Sequence, residues 1–303
     1  MKGLANLGNT CYLNAALQCL LHTPALTNYV LSEWAEKDLR KQRLNACALA
    51  GEYISLTKQY WTAPEPGVLD TRPLWTALAK VHKFFGNGDP HDAHEAVLAV
   101  LKHLHDALAR TPRIQPSIAY DAVDRPAWDA HLAKEGYSIL SEMCVGQVAC
   151  TLQGPGGFAS TTHEHFHGLS LDIEGCATLG QAVAKSFAPS AIDGFTFPDG
   201  SVAAVEQTRL PVYMPLVLIL HLKRFDARGA KVDRFVDYST ALEVPGHGTY
   251  DLYAVCFHRD GHYVAACRAA TDWLLMDDAA VTPMGINAVV QKEAYVLFYK
   301  KRL

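Results

Sequence analysis

The feature that most restricts this 303-residue chain is a change of hydrophobic period part-way along it. Early on, apolar residues recur at helical spacing. Leu13, Leu17 and Leu20 form one stripe, and Val97, Leu101, Leu104 and Leu108 form another. The spacing predicts a helix over about 11–22, capped by Thr10 and stopped before Pro24. A second helical tract is expected from Trp34 to Tyr60, then a loop from Thr62 to Arg72 with two prolines and a glycine. A third helix is expected from about Pro90 to Leu108, with Asp89 as its N-cap and Pro90 as its first residue. Residues 111–126 hold three prolines without a helical period and read as a connector. Beyond about Tyr137 the signals are mostly strands. Leu216–Leu222 is a continuous apolar run of strand length, and YDLYAVCF, HYVAAC, WLLM and AYVLFY follow, rich in β-branched or aromatic residues. A helical half followed by a β half is an α+β plan, and a cleft between them is a natural place for a site.

Composition narrows the class. Half the residues are hydrophobic and 19% are charged, as in a globular chain. The formal charge of −4 gives no basic excess that would draw the whole chain to nucleic acid or anionic lipid. No apolar stretch reaches the roughly 20 residues of a membrane span. The first 26 residues are broken by Asn6, Asn9, Thr10, Asn14 and Gln18, unlike a signal peptide. A cytoplasmic or nuclear protein with reduced thiols is the expectation, and its eight cysteines are too sparse for a disulfide scaffold.

One of these cysteines stands apart. Cys11 sits at the first turn of the first expected helix, where unpaired amides and the positive dipole end favour thiolate over thiol. Small polar neighbours, Gly8-Asn9-Thr10, leave room for a carbonyl, and Asn6 is placed to donate to its oxygen. A nucleophile requires a base. In Asp260-Gly261-His262-Tyr263 a glycine turn feeds a strand that begins with histidine, a group suited to proton shuttling. Asp277 and Asp278 follow the next apolar segment, Trp273–Met276. If the two segments form a hairpin, Asp277 emerges beside His262 and can fix its ring.

At this point the residues resemble a known family, the ubiquitin-specific proteases. Gly3–Leu20 (GLANLGNTCYLNAALQCL) is similar to its cysteine box. Gly261-His262-Tyr263, Trp273, Asp277-Asp278 and Ala294–Tyr299 resemble its histidine box and terminal strand. His91–Glu95 resembles an intermediate box, and Leu222-Lys223-Arg224-Phe225 a further signature. The resemblance implies a papain-like, hand-shaped fold in one catalytic domain spanning 1–303, with a helical thumb (1–125) and a β-rich palm and fingers (126–303). It implies cysteine-protease chemistry on the C-terminal glycine of ubiquitin, with no cofactor, no nucleic acid, no membrane and a single copy of the chain. By position, Cys11 would be the nucleophile, His262 the base and acid, Asp277 its orienter, Asn6 the oxyanion donor and Asp278 an auxiliary acid. Asp92, Glu95, Phe225 and Tyr263 would line the path of ubiquitin's extended, arginine-bearing tail.

Three departures from the pattern matter, and one histidine cluster, on a stretch that fits an ordinary family strand, needs placing. Many family members hold a structural zinc in the fingers through two Cys-x-x-Cys pairs. Here there is no such pair: Cys150 is followed three on by Gln153, and 197–200 has no cysteine, so packing is expected to hold the fingers. His163, His165 and His167 alternate on one face, expected as a solvated strand face rather than a metal site. His91 replaces the usual glutamine. The segment His258–Gly261 is short where the family carries a loop that can obstruct the tail channel, which implies a less self-occluded enzyme. Two other functions fit the same residues: a hydrolase for another ubiquitin-like modifier, or an inactive ubiquitin-binding module.

Overall fold

The structure, a computed structural model, describes residues 1–39, 44–110, 122–225 and 228–302, with only the backbone of 44–46. From the N-terminus come β1 (Lys2–Leu4), α1 (Cys11–Leu21), α2 (Pro24–Leu31), α3 (Trp34–Asp38), α4 (Leu44–Thr62), β2 (Gly67–Leu69), α5 (Arg72–Val81) and α6 (Ala93–Leu108). Next are α7 (Arg125–Glu135), α8 (Ile139–Cys144), β3 (Gly146–Gln153), β4 (Ala159–Phe166), β5 (Leu169–Leu171), α9 (Leu179–Ser186), β6 (Ser190–Thr196) and β7 (Val202–Tyr213). The chain ends with β8 (Val217–Leu222), β9 (Ala241–Val244), β10 (Gly248–Arg259), β11 (His262–Ala269), β12 (Asp272–Asp277), β13 (Ala280–Met284) and β14 (Ala294–Lys301).

Helix α1 is buried on every side. A helix apolar around most of its circumference belongs inside a core, and α1 packs against α6 and α2 as well as against β10 and β11. Leu13, Leu17, Leu20 and Leu21 are almost wholly buried there, each worth about 1.5–3 kcal/mol. The main sheet has the order β13-β12-β11-β10-β14-β8-β5, with β9 also beside β10. Its neighbours are antiparallel except the parallel β5–β8 pair. β8 is covered on both faces, which accounts for its unbroken apolar run. A second, antiparallel sheet has the order β4-β3-β7-β6.

Several boundaries differ from expectation. The Trp34–Tyr60 tract is two helices, α3 and α4. The expected loop between Thr62 and Arg72 contains β2, which pairs in parallel with β1. Helix α6 starts at Ala93, because the Asp92 carboxylate takes the amides of His94 (2.7 Å) and Glu95 (3.0 Å). Asp89, the expected cap, has its own amide turned to Asn87. Most of the 111–126 connector lies outside the described residues, but its end, Arg125–Pro126, opens α7.

The histidine strand is not a solvated face. His165 on β4 stacks on His131 of α7, ring centroids 4.1 Å apart and planes 12° apart. His163, His165 and His167 are all partly buried, and burial pushes His167 and His131 down to about 4. Thus β4 turns its histidines toward the helices.

At the tips of the β3–β4 and β6–β7 hairpins the residues do not fit a tetrahedral zinc. Phe158, Phe195 and Phe197 meet there, Phe197 edge-on to the other two at 4.9 and 5.0 Å. Gly154 lets Phe197 close in: a Cβ at that position would lie 3.0 Å from the ring. Edge-to-face aromatics hold what the resemblance assigns to metal.

Candidate active site

The sequence before α1 is a folded loop built around one amide. Asn6 Oδ1 accepts from Gly8 N (3.0 Å), Thr10 N (3.2 Å) and Thr10 Oγ1 (3.3 Å). Gly8 and Asn9 both have positive φ, at 93° and 53°, residue types that tolerate it. With donors around its oxygen, the Asn6 amide has one orientation, and Nδ2 donates to Asp278 Oδ2 at 2.7 Å. Thr10 makes no side-chain cap on α1; its hydroxyl serves Asn6 and accepts from Leu7 N instead.

Asp278 follows β12 in a tight turn with φ 48°. Its carbonyl accepts from Leu4 N at 2.8 Å, so β1 is docked against the turn. Gly3 makes that docking possible: a Cβ would stand 2.1 Å from Ala279 O. Asn14 Nδ2 reaches Asp278 Oδ1 at 2.8 Å, and Gln18 Nε2 reaches Lys2 O at 3.0 Å, so successive turns of α1 bind β1 and the turn together.

The expected hairpins form. Asp260 and Gly261, φ 46° and 81°, make the two-residue turn between β10 and β11, with Arg259 opposite His262. Across β12, His262 Nε2 meets Asp277 Oδ1 at 2.8 Å. That contact leaves Nδ1 as the ring nitrogen available to another group. The ligand atoms of His262, Asp277 and Asp278 all lie within 4.8 Å of one another.

Cys11, the first residue of α1 and buried, is acted on by the Asp278 carboxylate and by the amide of Tyr263, the peptide directly after His262. The thiol is nevertheless raised above its ordinary value. Burial is the largest cause, and the Asp278 carboxylate adds to it against the pull of the Tyr263, Tyr12 and Cys11 amides. The helix N-terminus is thus outweighed, contrary to the expectation that it would favour thiolate.

The four residues expected along the substrate path divide. Tyr263 and Phe225 belong to an aromatic belt: Phe225–His258 5.4 Å, His258–Tyr263 4.6 Å, Tyr263–Tyr295 5.7 Å and His221–Tyr295 4.8 Å between centroids. Phe225 is 40% exposed at its outer end. Asp92 joins the belt through the Tyr295 hydroxyl, which donates to its Oδ2. Glu95 lines a separate apolar cleft of about 710 Å³ with Phe84, Phe85 and Leu98. His91, the departure from the usual glutamine, is buried, bonded to Asn87 Oδ1 at 2.7 Å and edge-on to Tyr12. His258, His221 and Tyr295 had no assigned role from sequence, since only the sheet register brings them into line with Tyr263.

Known proteins share this sequence pattern and this fold. The family model described as ubiquitin carboxyl-terminal hydrolase matches residues 2–299. Human ubiquitin carboxyl-terminal hydrolase 2 is 30% identical over 334 residues, covering 99% of this chain and 55% of its own length. Human ubiquitin carboxyl-terminal hydrolase 17 is 32% identical over 319 residues, covering 98% and 55%. A human relative named as inactive, 17-like protein 8, is also 32% identical, over 316 residues, again with 98% and 55% covered. The chain therefore spans about half the length of the curated relatives it matches. A chain in the SAGA DUB module Ubp8/Sgf11/Sus1/Sgf73 bound to ubiquitin aldehyde shares the fold, with a TM-score of 0.78 and 22% identity over 100% of this chain and 70% of that one. With the whole chain sharing that hand-shaped, papain-like fold and the family model matched almost end to end, this chain belongs to the ubiquitin carboxyl-terminal hydrolase family.

Proposed function

We propose that this chain is a deubiquitinating cysteine protease that cleaves the bond after the C-terminal glycine of ubiquitin through an acyl-enzyme on Cys11. The observation that carries the reading is the convergence of four side chains, Asn6, His262, Asp277 and Asp278, beside the start of α1 where Cys11 stands. Asn6 comes from the loop that leads into α1 at Cys11, and His262, Asp277 and Asp278 from the β11–β12 hairpin and its end.

In this mechanism His262 takes the Cys11 proton at Nδ1 while Asp277 stabilises the imidazolium through Nε2. The sulfur attacks the glycine carbonyl, and the second Asn6 amide hydrogen, the one not given to Asp278, binds the oxyanion. The C–N bond then breaks and the lysine amine leaves with the proton from His262. Water adds to the thioester with His262 as base, and the C–S bond breaks to return the thiol and free the ubiquitin carboxylate. The raised thiol suits this order, because the proton moves as substrate arrives rather than beforehand. The aromatic belt from Phe225 to Tyr295 would form one wall of the slot for a Gly-Gly terminus, and a turn as short as Asp260-Gly261 would leave its mouth less occluded than a long loop.

A panel of C-terminally electrophilic ubiquitin and ubiquitin-like probes tests the reading. Labelling by ubiquitin that vanishes in Cys11→Ala supports it. Labelling by another modifier alone assigns a different substrate, and tight ubiquitin binding without labelling makes the chain a binding module.

A further inference from the structure

We propose that Asn14 is a positioning residue for this reaction: it holds the Asp278 carboxylate so that Asp278 serves Asn6 rather than His262. The proposal rests on the roles given to Cys11 and Asn6 above.

Asp278 stands between two possible users. Its Oδ2 takes the Asn6 amide at 2.7 Å, yet its carboxylate also lies within 4.8 Å of the His262 and Asp277 ligand atoms. A carboxylate in that position is drawn toward an imidazolium as soon as one forms. What holds it back is the Asn14 amide, 2.8 Å from Oδ1. Asn14 is 2% exposed and is fixed in turn: Nδ2 also faces Ala5 O (3.2 Å) and Leu4 O (3.4 Å), and the Thr71 hydroxyl is 3.5 Å from its oxygen. Both amide hydrogens are therefore committed, one to the carboxylate and one to the loop carbonyls.

Each carboxylate oxygen thus has one amide donor, and the carboxylate plane is set by a residue one turn beyond Cys11 that faces away from the substrate. Turning that plane would release Asn6 Nδ2, whose other hydrogen is the oxyanion donor. Asn14 touches no reacting atom and acts through Asp278.

The test compares Asn14→Ala, Asn14→Asp, Asn6→Ala and the exchange N14D/D278N in steady-state cleavage of a ubiquitin C-terminal fluorogenic amide. Asn14→Ala is expected to lower kcat about 10²-fold, the scale of one lost oxyanion donor, with KM within about threefold of wild type. In the Asn6→Ala background it should cost little more, because both changes remove the same donor. The exchange restores one amide facing one carboxylate and keeps an acceptor for Asn6, so it should regain at least tenfold over Asn14→Asp. Alkylation of Cys11 by iodoacetamide, which uses no oxyanion donor, should change little in Asn14→Ala. Collapse of alkylation together with kcat would mean a merely structural role and overturns the proposal, as do fully multiplicative losses with Asn6→Ala. A crystal structure of Asn14→Ala gives a readout independent of turnover. The Asp278 carboxylate is expected to have turned toward His262, and a carboxylate still on Asn6 refutes the idea. Wild-type protein inert toward every probe would instead indict the functional reading alone.

Discussion

The carboxylate of Asp92 accepts the phenol proton of Tyr295, tying the first turn of α6 to the last strand of the sheet across 203 positions of sequence. The other oxygen caps the helix. Asp92→Ala should therefore cost about 1–3 kcal/mol, combining a lost cap with a lost buried hydrogen bond. Asp92→Asn keeps the cap on its one oxygen and turns an NH2 to Tyr295, whose hydroxyl oxygen can accept from it, so its urea midpoint should fall less than that of Asp92→Ala. A carboxylate retains lone pairs for a substrate arginine, so Asp92→Asn should raise KM for ubiquitin substrates severalfold. An unchanged KM would remove Asp92 from the tail path and leave it a purely internal tie.

The state of the Cys11 thiol gives a second expectation. Burial raises it most, and the Asp278 carboxylate adds to that. Removing the charge should make the thiolate easier to form. In Asp278→Asn, the pH profile of Cys11 alkylation should move to lower pH, although turnover falls because Asn6 loses its charged acceptor. The rate of carbamidomethylation from pH 6 to 10 decides the matter: a profile that stays put or moves up shows that Asp278 does not act on the sulfur.

The tips of the β3–β4 and β6–β7 hairpins should be indifferent to metal and sensitive to aromatics. EDTA treatment is expected to leave both Tm and turnover unchanged. Phe197→Ala removes two edge-to-face contacts, each worth about 0.5–1.5 kcal/mol. The loss should be local, read as faster hydrogen exchange at the tip amides of Gly154 and Phe197, which bond to Phe158 O and Ser201 O. Equal exchange in variant and wild type would mean that the backbone turns hold the tips alone.

What the sequence revealed was the part written in local chemistry. The leucine stripe of α1, the Asp-Gly turn before His262 and the hairpin that brings Asp277 back to it are short-range signals, and each stands where its spacing implies. Helix α6 was displaced at its start because Asp89-Pro90 imitates a cap and first turn, while the working cap, Asp92, stands three residues later. Helices α7, α8 and α9 had usable signals that went unread. These were Asp124 before Arg125-Pro126 with Gly136 at the end, and the capping boxes Ser138–Ser141 and Thr178–Gln181. The Asn6–Asp278–Asn14 chain and the Asp92–Tyr295 tie were beyond reach, since each joins groups more than 200 positions apart with no local mark of the partner. The histidines of β4 illustrate the same limit: alternation put them on one face, but nothing nearby said that α7 would cover it.

That covered face makes the fold sensitive to acid. His131 and His167 are held at about 4, chiefly by burial, and His165 is lowered for the same reason. Their neighbours add to it: His131 feels His165, His105 and Lys134 against Glu135, and His167 feels His105, His131 and Lys102 against Glu135. His163 and His167 press on His165. A histidine whose folded value lies below its unfolded value of about 6.5 is protonated first in the unfolded chain. Its contribution to stability is therefore complete above pH 6.5 and is lost as pH falls toward 4. Tm should drop over that window, with β4 and α7 losing exchange protection before the main sheet. His131→Phe keeps a ring stacked on His165 but removes one titrating partner, so its Tm should fall less steeply between pH 7 and 4.5. Histidines lowered by burial elsewhere, His22 to about 4, His221 to about 3, and His91, His94, His103, His247 and His258 besides, remain in the variant and leave part of the slope. Superimposable slopes for variant and wild type would show that the stacked pair sheds its proton conflict by moving apart, and that acid enters the fold through the other lowered histidines.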